Sequence, residues 1–218
     1  MPQTAWIVVG AVALVAMVWW IFKPSKPRAG DARSGPATGS DGSAMRLAEM
    51  GMVAVTHGLK ASLEDPTLVE RFSFPPFGRG ESRRATEVLK GSIDGEEALA
   101  FHYSFELPGE VRRREFDITV VPADFRWKGQ LRVASVPRVP GDTVSFDEAW
   151  RVDERPSGKR DPLTAEAQAI LMEPRFKASA VVVAPHEIVL IDGQKREFQD
   201  VADDAAQLKR LRAALAAK

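Results

Sequence analysis

The chain has no cysteine, which excludes structural disulfides, thiolate metal sites, cysteine nucleophiles and a lipoprotein anchor. Histidine is scarce as well. His57, His102 and His186 are far apart in sequence, and no His-Glu-x-x-His run is present to bind zinc. There is no Gly-x-Ser-x-Gly elbow. Ser157-Gly158-Lys159 lacks the upstream glycine of a phosphate loop, and Gly78-Arg79-Gly80 is too short to hold a nucleotide. These absences leave no cofactor and no metal to expect. An excess of one charge is also missing: 30 basic and 30 acidic residues cancel, and a neutral domain has no basic face for nucleic acid.

What the chain does have is an apolar run. After residues 1–4, the segment Ala5 to Phe22 carries no charged side chain. As a helix it rises about 1.5 Å per residue, roughly 27 Å in all, close to the hydrocarbon thickness of a bilayer. Trp6 at one end and Trp19 with Trp20 at the other suit the two interfaces. The run 5–22 therefore predicts a transmembrane helix, and the lipid bilayer is the first expected partner. Lys23, Lys26, Arg28 and Arg33 follow the run and no charge precedes it, which favours a cytoplasmic body. A cleaved signal would need a basic start and a shorter apolar core, and neither is found. No two small residues stand four apart in the run, so it offers no close helix–helix contact of its own.

Residues 23–42 are rich in Gly, Ser, Pro, Ala and Asp without an apolar period, and read as a flexible tether reaching roughly 25 Å. Residues 43–218 are long enough for one domain. Met45, Ala48, Met52, Val55 and Leu59 recur at helical spacing, with Ser43 as a cap and Gly58 as a stop. The spacing is heptad-like over about two heptads, and the expectation is a helix that packs this stripe onto its own domain. Asp65-Pro66 opens a short helical turn through Arg71, and 72–80 is irregular.

Phe101, Tyr103, Phe105 and Leu107 alternate with polar residues, the period of a half-buried strand. Asp94-Gly95 before it and Pro108-Gly109 after it are turn signals. Symmetric loops then set a register in which Val88 faces Phe101, Phe101 faces Phe116 and Leu99 faces Ile118. Further strands are expected at Gln130–Val136, Val144–Val152, Ala178–Val183, Glu187–Ile191 and after Asp192-Gly193 at Lys195–Phe198. A helix is expected from Asp161-Pro162 through Met172, and a last one with Leu208, Leu211 and Leu215 on one side. The fold class is α+β, a mainly antiparallel sheet with a few packed helices. A curved sheet plugged by the last helix, as in a pleckstrin-homology domain, is one arrangement of this kind.

The runs Pro75-Pro76-Phe77-Gly78, Val88-Leu89-Lys90-Gly91, Phe101-His102-Tyr103 and Ile191-Asp192-Gly193 resemble a group of uncharacterised actinobacterial single-pass membrane-anchored proteins. The resemblance implies an anchor followed by a domain and brings no catalytic residue.

The expected register assembles two candidate sites. Glu87, His102 and Glu115 form one row on the polar face, where two carboxylates flanking an imidazole suit a divalent metal or acid–base work or, against that, a plain cross-strand charge row. Arg83 and Arg84 come close to Arg112, Arg113 and Arg114 at one end of the strands, a rim for phosphate or anionic lipid headgroups. Glu81, Glu106 and Glu110 are interleaved with them. Phe125-Arg126-Trp127-Lys128 offers either a partner-facing loop or core aromatics. The functional expectation is a membrane-anchored cytoplasmic binding or scaffolding domain for a protein partner or the anionic leaflet. The alternative is a membrane-tethered enzyme, a hydrolase whose site is assembled only by the fold.

Overall fold

The computed structural model describes residues 41–136, 144–156, 162–176, 179–194 and 197–216. The expected span 5–22 and the tether through residue 40 lie outside the described residues. Among the described residues no helix is long and apolar enough to cross a membrane. They belong to the unit Ser43–Lys218, preceded by the start of its first helix. In chain order the elements are helix α1 (Asp41–His57), β1 (Lys60–Glu64), a 3-10 turn (Pro66–Glu70), β2 (Glu81–Ile93), β3 (Glu96–Glu106) and β4 (Arg114–Pro122). There follow β5 (Leu131–Ser135), α2 (Phe146–Ala149), β6 (Trp150–Glu154), α3 (Ala165–Leu171), a 3-10 turn (Pro174–Phe176), β7 (Ser179–Ala184), β8 (Glu187–Asp192) and α4 (Asp200–Ala216). The class is α+β. All strand pairs are antiparallel, in the order β1-β2-β3-β4-β8-β7-β5-β6.

Local chemistry explains most boundaries. Gly58 takes φ +67° and ends α1 in a Schellman motif: the Leu59 N–H donates to Ala54 O at 2.7 Å and the Gly58 N–H to Val55 O at 3.4 Å. Asp65 caps the first 3-10 turn through the Thr67 N–H at 3.0 Å, with Pro66 in the first position. Several expected elements differ: Ser43, expected as a cap, lies inside α1, and of the strand expected over Lys195–Phe198 residues 195 and 196 lie outside the described residues while Glu197 and Phe198 are irregular and turn. The helix expected from Asp161-Pro162 starts at Ala165, because the Thr164 hydroxyl accepts from the Ala167 N–H at 3.1 Å and caps it there. The strand expected over Val144–Val152 is helical from Phe146 to Ala149, where Ser145 and Glu148 form a capping box, and extended only from Trp150.

The register is part expected, part new. Asp94 and Gly95 both take positive φ, 53° and 80°, and Ile93 faces Glu96, a type I′ turn. Leu89 then faces Ala100 and Lys90 faces Leu99, in the expected register. At Glu87 the strand bulges: Thr86 faces His102, Glu87 and Val88 share the space opposite Phe101, and Glu87 takes φ +54°. The β3–β4 loop is not symmetric. Pro108-Gly109 does turn, with the Glu110 N–H donating to Leu107 O at 3.0 Å, but Val111, Arg112 and Arg113 follow before the strand resumes. Phe101 therefore faces Ile118, and Leu99 faces Val120. A slip of two residues keeps every side chain on its expected face and changes its neighbour.

The sheet buries both faces. On one, α1, α3 and α4 pack Met50, Ile170, Leu171, Leu208, Leu211 and Leu215 against Leu89, Val121, Val181, Val183, Ile188 and Leu190. The leucine stripe expected on the last helix is thus buried. Asp204 in the middle of α4 is 1% exposed and accepts from the Arg175 Nε–H and from the Thr119 hydroxyl of β4, which fixes the helix along its axis. On the other face, the irregular residues 72–80 lay Phe72, Phe74 and Phe77 over Phe101, Tyr103, Phe105 and Phe116. The Phe77 ring is 4.6 Å from those of Phe72 and Tyr103.

Candidate functional site

The row of Glu87, His102 and Glu115 does not form. His102 lies opposite Asp117, and its Nδ1–H donates to Asp117 Oδ1 at 2.9 Å, while Glu115 pairs with Ser104 and stays exposed. The cause is the longer β3–β4 loop. Nor is this face open, since α1 and the start of α4 cover it. Arg46 of α1 grips Glu87 with both arms, Nε to Oε1 at 2.5 Å and Nη2 to Oε2 at 2.6 Å, and its guanidinium stacks 4.6 Å from the Phe198 ring centroid. The Glu87 hydrogen bonds raise the Arg46 pKa above its ordinary value. With both oxygens occupied, Glu87 is no free base or ligand. Among the described residues no group of three His, Cys, Asp or Glu is placed to hold a metal. The space between Arg46, Glu87, His102, Asp117, Glu197 and Phe198 is about 20 Å³, room for one water and no substrate.

Of the arginines expected to form one rim, Arg113 meets the start of β2, where it donates to Ser82 O at 3.0 Å. Their charges are engaged. Arg83 pairs with Glu70 at 2.9 Å, Arg84 with Glu64 at 3.0 Å, Arg113 with Glu106 at 3.4 Å and Arg114 with Glu110 at 2.7 Å, while Arg112 is exposed. Glu64 is held below the usual carboxylate range by its hydrogen bonds to Arg84. His57 ends α1, and His186 sits with Pro185 in the β7–β8 turn, where its carbonyl accepts from the Ala123 N–H at 2.8 Å. Phe125 and Trp127 stack at 4.2 Å against the core, so that loop is not a partner-facing aromatic patch. A shallow groove of about 450 Å³ runs between Pro122–Phe125 and the end of α4, where Arg212 is tied to Pro122 O and Glu96.

The surface feature that the sequence pattern marked and assigned to the core is the stripe on α1. At about 100° per residue, Met45, Ala48, Met52 and Val55 fall within an arc of about 80°, and the buried Met50 and Ala54 lie on the opposite side. Met45 is 77% exposed, Met52 65% and Val55 85%. Of the stripe expected to pack inward, Leu59 alone is buried. The helix has two apolar faces, and periodicity does not say which turns in. Of the six large apolar side chains exposed among the described residues, four are on α1. Beside the stripe, Gly51 weakens the helix by about 1 kcal/mol relative to alanine. A Cβ at Gly51 would meet nothing within 4 Å, so its own domain gains no space from the glycine.

No protein-family model matches the chain, and no curated protein matches it in sequence. Among solved structures the chain is similar to the crystal structure of the mycobacterial trehalose monomycolate transport factor A, TtfA, with 12% identity and a TM-score of 0.52 over 78% of this chain and 93% of that one. At this identity the likeness is one of fold.

Proposed function

We propose that the chain is a membrane-tethered binding module, cytoplasmic in orientation, that docks a helix of a protein partner on α1. The exposed stripe Met45, Ala48, Met52 and Val55 carries this reading: it is a contiguous apolar face on a helix whose other face is already satisfied by the core. Support for the tether is the uncharged run 5–22 with its basic flank. A binding role is compatible with a fold neighbour that is a transport factor. Acid pairing of the rim arginines favours a protein partner over the anionic leaflet, and the space beside His102, the histidine that the enzyme reading relied on, holds one water and no substrate.

The test is a photo-activated cross-linking residue placed at Met52, with Val111 on the opposite kind of surface, an exposed loop, as the control. Illumination of intact cells should give discrete protein adducts from position 52 and none of the same size from 111. No adduct from 52 would refute docking at α1.

A further inference from the structure

We infer that the helix docked on α1 is α1 of a second copy, in a parallel pair brought together by the membrane; this rests on the membrane-tethered reading above. Met45, Ala48, Met52 and Val55 are spaced three, four and three apart, the alternation of core positions in a two-stranded coiled coil. A seam of this kind is self-complementary, so a second copy presents the matching surface without a new partner. The flanking positions raise no obstacle. In a parallel pair Gly51 faces Thr56 of the other copy and Glu49 faces Ala44, so no like charges meet across the seam. Open space at Gly51 lets the second backbone approach closely.

The chain that precedes α1 sets the orientation. With the run 5–22 in the bilayer, every copy sends its tether out of the same leaflet, so the amino ends of both helices start on the same side. The run itself has no small-residue contact motif, which leaves α1 as the pairing element. Charge also argues against the bilayer surface as the occupant: α1 has one arginine, already held by Glu87, and no lysine or aromatic residue for an interfacial helix. Two heptads bury well under the ~800 Å² per partner of a stable interface. Pairing is accordingly a property of copies concentrated in one membrane and not of dilute solution.

The absence of cysteine makes a clean test. Single substitutions Ala48→Cys, Met52→Cys and Val55→Cys in the full chain, with Leu63→Cys and Val111→Cys as exposed controls, are oxidised in isolated membranes. The expected result is a disulfide-linked dimer from 48, 52 and 55 and little from 63 and 111. Adding Met52→Lys to Ala48→Cys should cut the dimer yield about tenfold, because two like charges then face each other in the seam. Equal yields at all five positions, or no dimer at 48 and 52, overturn the pairing. Carbonate extraction of the same membranes separates the two claims. Absent dimers with the chain retained in the membrane sink the pairing and leave the tethered reading standing, whereas a chain released by extraction sinks both.

Discussion

The grip of Arg46 on Glu87 holds α1 on the sheet and so fixes which face of that helix is outward. Both side chains are about one quarter exposed, 22% and 24%, and both arms of the guanidinium are engaged. Hydrogen bonds to charged groups contribute about 1.5–3 kcal/mol when buried, and partial exposure puts this pair near the lower end, about 2 kcal/mol. Arg46→Ala should therefore lower the melting temperature of the unit Ser43–Lys218 by about 4–8 °C, at about 2–4 °C per kcal/mol for a domain of this size. Glu87 adds a sharper contrast, because its φ of +54° lies in the left-handed region. Glu87→Ala loses the partner of Arg46 and keeps a Cβ in that conformation; Glu87→Gly loses the same partner and relieves about 1–2 kcal/mol of backbone strain. In an ordinary strand interior glycine is the worse residue by about 0.5–1 kcal/mol, so the order of the two variants is reversed here. Urea unfolding followed by circular dichroism measures both, and a transition that is cooperative in the parent unit is the precondition. Glu87→Gly proving less stable than Glu87→Ala would refute the account of the bulge, and additivity of Arg46→Ala with Glu87→Ala would refute the pair.

Burial holds the Tyr103 hydroxyl above its ordinary value. Its folded pKa is raised, so its contribution to stability is intact below the unfolded value of about 10 and is lost as pH rises through the folded one. Tyr103 is the single tyrosine, and its phenolate absorbance should stay absent from the native protein at pH about 10 while the urea midpoint falls above that pH; half-ionisation there with the fold intact would contradict it. Arg175→Met removes the charged partner of the buried Asp204 and leaves it the Thr119 hydroxyl, and because Arg175 is itself 30% exposed the cost should be about 3 kcal/mol, most of it recovered when Asp204→Leu is added; a double variant no more stable than the single one would show that the ion pair is not what the buried carboxylate needs.

The parts of the fold that are legible in the sequence are those where one residue type meets a backbone demand. Asp94-Gly95 suits two consecutive positive φ values, Gly58 suits a helix stop, and Asp65-Pro66 suits a capped turn. Alternation across Phe101 to Phe105 points to the correct faces because a slip of two leaves them unchanged. The same slip replaces Glu115 by Asp117 beside His102, and three loop residues, 111–113, decide it. Arg46 is beyond reach, since its partner Glu87 is 41 positions away and nothing local marks the pair. Strand β1 is equally hidden: all five of its residues are exposed, so it carries no hydrophobic signal and exists because β2 offers it an edge. On α1 the period is right and the direction wrong, because the helix presents apolar residues to both the core and solvent.

The strand order has a consequence for synthesis. β1 to β4 are neighbours in sequence and can pair as they leave the ribosome, but the partner of β4 is β8, and 64 residues separate Pro122 from Glu187. At roughly 5–20 residues per second, the hydrogen-bonding edge of β4 stays open for roughly 3–13 s. Throughout that interval the nascent chain carries a half-built sheet whose free edge matches that of any sister chain emerging beside it. The β7–β8 hairpin and α4, last to be made, close that edge and cover the helix-side core in one stroke, so the stretch from Ser179 onward acts as the seal on a sheet begun at its other end.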